Sequence, residues 1–290
     1  MSERLTFQYY LIVFLDLLGQ RERLRAIGGL PRSDQERNEF IAQIKESVGK
    51  IIGLRDGFRN YFESAKTHEP NLELAELIPR AIRQEYKKSL CTAKIEFYGM
   101  SDSLVIGVPL MGENENCSAV NGVFAAMVAA AGMHVISLAG KIVLRGGMDV
   151  GVGTIIDGRD VYGPALERAV FLEEEVAEYP RVAVGDVLIS YLESISGQRC
   201  ETRLGFVAQD VARRCLSMIS TDTDGRRILD FMGKPLVESV SEALTPEVIE
   251  MAQRFVVSGH ERFTQAGNTK LANRYARLRT YMESRRHLWG

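Results

Sequence analysis

Two aspartates stand where a divalent cation could be held. Asp16 ends a near-continuous apolar run, Tyr9–Gly19 (YYLIVFLDLLG), with the composition of a core strand. Asp102 lies within Lys94–Val108 (KIEFYGMSDSLVIGV), which reads as strand, tight turn, strand. Gly99 permits the turn, and Asp102 carries the carboxylate near its tip. Alone, an acid at a hairpin tip is as readily a turn former as a ligand. A second acid at the end of a core strand changes that balance, because the two can meet beside one ion. Carboxylate oxygens suit hard Mg²⁺ or Mn²⁺, which need few protein ligands when phosphates supply the rest.

Other chemistries lack their parts. The chain has no Walker P-loop, no GxGxxG after a strand, no HExxH and no GxSxG. Its four histidines are scattered, which argues against a His-centred metal site or a Ser–His–Asp triad. Cys91, Cys117, Cys200 and Cys215 show no CxxC spacing, and with no signal peptide reduced cytoplasmic thiols are expected. Carboxylates, glycines and a few arginines remain. Those are the components of metal-assisted phosphoryl transfer, where positioning and charge neutralisation do most of the catalysis.

The elements that must position these residues are mixed. A cap at Ser33 or Asp34 opens a helix to about Phe62, with Phe40, Ile44, Val48, Ile51 and Ile52 at helical spacing. Ser64–Glu73 reads as a loop, followed by a shorter helix ending near Lys88. Cys117–Ala139 is a helix apolar on most sides, with His134 as a packed core residue. Ile142–Ile156 alternates as two strands joined near Gly151–Gly153, and Gly146 and Gly147 suggest close backbone approach or a bulge. GRDVYGP reads as a turn, Ala165–Ala177 as an amphipathic helix, and Arg181–Val184 as a strand leading into a helix to about Ile195. Cys215–Ser220 and Arg227–Phe231 form a hairpin around TDTDGR. A helix with Pro246 in its first turn starts after Thr245 and breaks near Gly267. The pattern is α+β around a largely antiparallel sheet.

Composition fits an ordinary globular chain of 290 residues, 46% hydrophobic and 26% charged, with a net charge of −2. From Arg254 onward there are eight Lys/Arg against two Glu, read as a solvated helix face rather than a nucleic-acid or lipid patch. The run Tyr9–Leu18 is too short to span a bilayer and contains Asp16, so no membrane partner is expected.

FLDLLG, EFYGMSDSLVI and LRGGMDVGVGTIIDGRDVYGPALERAVFLEEEVA, in that order, resemble the catalytic core of a class III nucleotidyl cyclase over roughly residues 7–190. The resemblance implies a ferredoxin-like α+β catalytic domain at residues 1–200, with 201–290 a hairpin and helical extension packed on it. It implies a head-to-tail homodimer with active sites shared at the interface. Asp16 and Asp102 fall on the metal aspartates, and Leu17 would offer its backbone carbonyl. Two Mn²⁺ or Mg²⁺ ions would lower the charge on the triphosphate while the ribose 3′-oxygen attacks the α-phosphorus and pyrophosphate leaves.

The departures from the family pattern carry equal information. Tyr98 stands where purine-specific members place a base-reading lysine, and Asp160 aligns with the second base reader, acidic in adenine-reading members. The transition-state asparagine aligns with Glu167 and the arginine with Phe171, while Arg168, one residue off register, could replace that arginine. With its long C-terminal extension the chain is similar to the Pycsar pyrimidine cyclases. These bacterial antiphage enzymes turn UTP or CTP into a 3′,5′-cyclic nucleotide that acts on a separate effector. An ordinary adenylate or guanylate cyclase, or a degenerate cyclase homology domain that only binds nucleotide or dimerises, are the alternatives.

Overall fold

A computed structural model describes residues 7–20, 29–67, 92–100, 103–110, 117–157, 160–240 and 244–289. Its centre is strand β1 (Phe7–Leu17), which pairs antiparallel on both sides. One neighbour is β3 (Ser103–Pro109), itself paired with β2 (Glu96–Met100), and the other is β4 (Leu144–Ile156). Alternation along β1 sends Leu11, Val13, Leu15 and Leu17 into the main core, and Tyr10, Ile12 and Phe14 into a smaller cluster on the opposite face. A strand buried on both faces is apolar at every position, which is why this run does not alternate in the sequence.

Helix α1 (Asp34–Thr67) separates β1 from β2 in the chain, and α2 (Cys117–Ala139) separates β3 from β4. After β4 come the short strand β5 (Asp160–Tyr162), α3 (Pro164–Phe171) running into a π-helical turn at Leu172–Val176, β6 (Val182–Val184) and α4 (Asp186–Gly197). The remainder is α5 (Arg203–Ser217), β7 (Ile219–Thr221), β8 (Arg227–Leu229), α6 (Lys234–Val240), α7 (Pro246–Gln265) and α8 (Thr269–Arg285). Among the described residues the eight strands make one mixed, mostly antiparallel sheet in the order β2-β3-β1-β4-β6-β8-β7, with β5 on the end of β4. The chain is therefore α+β, and the residues after 200 extend the same sheet.

The structure differs from the sequence expectations at several places. β4 is one strand, paired without a break against β1 from Leu144 to Thr154. Its glycines mark close approach: a Cβ at Gly147 would lie 2.2 Å from the Ala169 carbonyl oxygen, and one at Gly151 would lie 2.9 Å from the Ala165 nitrogen. They let α3 sit directly on the strand. α1 continues through Ser64–Thr67, where a loop was expected; the rest of that loop and the helix expected to end near Lys88 lie outside the described residues. Cys215–Ser217 closes α5, and Asp160–Tyr162 is a strand within the stretch read as a turn. The end of α7 and the left-handed Gly267 (φ +68°) match the expected break.

α2 is long and apolar enough to cross a membrane, yet 94% of its most apolar window is buried, and it packs against α1, α5 and α7. His134 on α2 is 1% exposed, its ring centroid 4.2 Å from that of Phe231, with no hydrogen bond to either ring nitrogen among the described residues. Burial lowers its pKa from 6.5 to about 4, only partly offset by the nearby Pro180 backbone. Because the folded pKa is the lower one, the unfolded chain takes up a proton first as pH falls from 6.5 toward 4, and stability is lost across that window. The loss is on the order of 3 kcal/mol. In urea titrations over this range, His134→Leu should show a shallower acid loss than wild type; parallel curves would show that the histidine contributes nothing.

Candidate active site

The β1–β3 register sets Asp16 directly opposite Ser103, the residue after Asp102, and the β1–β4 register sets it opposite Arg145. Asp16 is buried, 7% exposed, and its carboxylate accepts a hydrogen bond from the Ser103 hydroxyl at 3.2 Å. Leu17 is buried beside it. Asp102 lies outside the described residues, as does Ser101, which with it links the paired ends Met100 and Ser103. Among the described residues, three His, Cys, Asp or Glu side chains nowhere come together in a group able to hold a metal. The donor seen at this point is one buried hard oxygen set, Asp16, which fits Mg²⁺ or Mn²⁺ when further oxygens come from elsewhere.

Sequence reasoning missed a second charged pair at the same end of β1. Arg145, on the same face as Asp16, reaches Glu173 in the π-helical turn, Nη2 to Oε1, at 2.5 Å. Both side chains are largely buried, at 14% and 3% exposure, and the turn can pack this closely because Gly147 lies under Leu172 and Glu173. Burial pushes the Glu173 carboxyl above the usual carboxylate range; Arg145 pulls it back, and the charges of Asp16 and Glu174 add to the rise. Asp16 thus sits in a pocket of balanced charge, with a carboxylate and a guanidinium behind it. The sequence did hold a signal: an arginine inside an apolar, glycine-rich strand must find a buried partner.

Tyr98 faces the same side of the sheet as Asp16, in the small cluster with Tyr10, Phe14 and Val105. Its ring lies over Gly107, and its hydroxyl donates to the Glu96 carboxylate. Burial first, and then that carboxylate, push its pKa well up, so it stays a neutral donor. Next to it the Gln8 amide donates to the Tyr10 hydroxyl. Tyr98 and Tyr10 are thus buried on this face, 5% and 1% exposed, with their hydroxyls bonded to Glu96 and Gln8.

The remaining sequence-nominated residues stand apart from Asp16 within one chain. Arg168 donates from Nη1 to the Val150 carbonyl at 3.1 Å, and Val150 is the partner of Leu11, five residues before Asp16 on β1. At the rise of a strand that is about 17 Å away. Arg168 lines a cavity of about 660 Å³ with Tyr9, Val152, Ser190 and Tyr191. It also neighbours Asp149, which caps α4 from β4: Asp149 accepts from the Leu188 N–H at 2.7 Å, a bond that N-cap Gly185 has no side chain to make. Asp160 is exposed at the start of β5. Glu167 is exposed in a second cavity with Tyr162 and Phe171, themselves 68% and 53% exposed.

Within one chain, then, the structure joins Asp16 to Ser103, Arg145 and Glu173 and leaves Arg168, Asp160 and Glu167 on a separate surface. No family model matches the chain, and no curated protein matches it.

Proposed function

We propose that the chain is a metal-dependent nucleotidyl cyclase that converts UTP or CTP to the 3′,5′-cyclic nucleotide and pyrophosphate, working as a homodimer. The observation that carries this reading is the register of β1 on β3. It brings the buried carboxylate of Asp16 against the residue that follows Asp102. The element order strand-helix-strand-strand-helix-strand from β1 to β4, with sheet order β2-β3-β1-β4, supports a ferredoxin-like unit of the kind the resemblance implies. A role as a second-messenger enzyme of antiphage defence, acting on a separate effector, extends the same resemblance.

In this mechanism Asp16, the Leu17 carbonyl and Asp102 would hold one or two divalent ions. When bound, these neutralise triphosphate charge and lower the pKa of the ribose 3′-hydroxyl. The chain's own residues do the rest. Ser103 fixes the Asp16 carboxylate by donating to it, and Arg145 pairs with the neighbouring Glu173. Tyr98, neutral and anchored on Glu96, bounds the base with a ring suited to a small pyrimidine. The separation of Arg168, Asp160 and Glu167 from Asp16 favours a site completed by the partner, whose α3 surface would bring Arg168 to the phosphates. In a two-fold dimer each of two sites then receives Asp16 from one chain and Arg168 from the other.

Incubating the purified protein with Mn²⁺ and each of ATP, GTP, UTP and CTP, then identifying products by mass spectrometry, tests the reading. Cyclic UMP or cyclic CMP with pyrophosphate is expected. A cyclic purine product would retain the cyclase and remove the pyrimidine assignment, and no product from any of the four would sink both. Tyr98→Ala should lower the ratio of UTP to ATP turnover while leaving the Mn²⁺ dependence unchanged; an unaltered ratio would free Tyr98 of any part in base choice.

A further inference from the structure

A cleft of about 490 Å³ opens between the C-terminal end of α2 and helix α7. Lys141, Arg254 and Arg262 line it, over a floor that includes Met251 and Phe255. Met251, Phe255, Ser258 and Arg262 recur at i, i+4, i+7 and i+11, so they form one stripe of α7. Two of these cations belong to the basic tail that composition reads as a solvated helix face. Arg254 is paired with Glu250 at 2.5 Å, whereas Lys141 and Arg262 make no ion pair among the described residues. Met251 is 53% exposed, an apolar surface left open between positive charges.

Lys141 also occupies a backbone position that sterics would assign to glycine. Its φ is +60°. Its N–H donates to the Leu138 carbonyl at 3.0 Å, and the Ile142 N–H donates to that of Ser137 at 2.7 Å. Those paired bonds make a Schellman ending, in which the left-handed residue is usually glycine. Here Gly140 stands one position earlier, and a lysine side chain is aimed from the strained site. The bonds also occupy carbonyls of the last turn of α2, together with the Gly140 N–H on Ile136.

We propose that this cleft binds a small organic anion: a phosphate, sulfonate or carboxylate group carried on an apolar body. Lys141 and Arg262 meet the anionic group, and Met251 and Phe255 cover the apolar part. Its volume falls in the range of small-ligand pockets. The inference is independent of the cyclase reading.

Calorimetric titration of the full-length protein with 1-naphthyl phosphate tests it. A chelator in the buffer keeps phosphate from any metal at Asp16. One site per chain is expected, with inorganic phosphate binding at least about tenfold more weakly because it leaves the apolar floor uncovered. Lys141→Gly combined with Arg262→Gln should weaken naphthyl phosphate by about tenfold or more. Lys141→Gly removes a strained side chain and Arg262→Gln changes a helix residue that makes no ion pair among the described residues, so the ligand-free thermal midpoint should stay within about 3 °C of wild type. If the double variant fails to fold, Arg262→Gln alone carries the same comparison. Equal binding by wild type and variant, no binding to wild type at millimolar concentration, or equal affinity for the two anions would each overturn the proposal.

Discussion

Asp16→Asn should abolish cyclic-nucleotide formation and leave the protein folded. Losing an outer-shell partner of a metal typically costs ten- to a hundredfold, so loss of the ligand itself should lower turnover by more than about a hundredfold. Asparagine keeps an oxygen that can accept from Ser103, so that hydrogen bond survives. The substitution also removes a negative charge that raises the pKa of buried Glu173. The urea midpoint should therefore hold or rise as activity disappears. Asp102→Asn should behave alike in activity. Near-wild-type turnover in either variant would end the two-aspartate assignment, and loss of folding with loss of turnover would make Asp16 a structural residue.

Arg181→Ala should be the most damaging single change to stability, by about 3–5 kcal/mol, read as a fall in the urea midpoint. Arg181 is fully buried, at 0% exposure. Its Nε donates to the Ala177 carbonyl at 2.9 Å and Nη2 to the Val176 carbonyl at 2.8 Å. Nη1 meets Asp222, and Nη2 reaches Asp224 at 2.7 Å. Its guanidinium lies 4.6 Å from the Tyr179 ring centroid, and Arg277 from α8 reaches Asp224 at 2.5 Å and Glu178 at 2.7 Å. The alanine variant would strand a buried carboxylate and two carbonyls at once. Arg181→Lys should recover only part of the loss, because an ammonium cannot make the forked contact. A cost below about 1 kcal/mol for Arg181→Ala would show that this network is dispensable.

The same network sets an acid limit. Burial alone would raise both aspartates, but Tyr179 and Arg181 hold Asp222 low, and Arg181 with Arg277 holds Asp224 low, against an ordinary value of 3.8. Depressed folded values mean that their contribution is complete above about pH 4 and fades as pH drops below it. The loss attributed to His134 begins well above that, so stability should fall first between about pH 6.5 and 4 and again below it.

Much of the scaffold was legible because its signals are strong. β1, α2 and the α7–α8 pair are long and strongly apolar, or sharply periodic and capped. β4 was divided in two because glycine weakens a strand pattern, and only the packing of α3 shows that the glycines make room rather than end the strand. α5 escaped, although Leu204, Val207, Ala208, Val211, Ala212 and Cys215 repeat at helical spacing. At the site, Asp16 was legible as an acid breaking an apolar run. Arg145 and Glu173 were not, since they are 28 residues apart and meet only through a strand register and a π-helical turn. Arg168, Asp160 and Glu167 were nominated by alignment to a family pattern, and among the described residues they lie on a surface apart from Asp16.

The burial of α2 from all sides has a consequence for how the protein is made. Ala139 leaves the ribosome long before α5 and α7 exist to cover its outer surface. At ordinary elongation rates the interval is on the order of ten seconds. Throughout it, a helix apolar enough for a bilayer is shielded by α1 and by the strands already made. Nascent chains halted between residues 140 and 245 should accordingly be sticky, drawn to chaperones or membranes, whereas chains released after α7 should not. For this protein, order of synthesis favours caution in cutting the C-terminal helices away: they close a surface that earlier parts of the chain cannot hide.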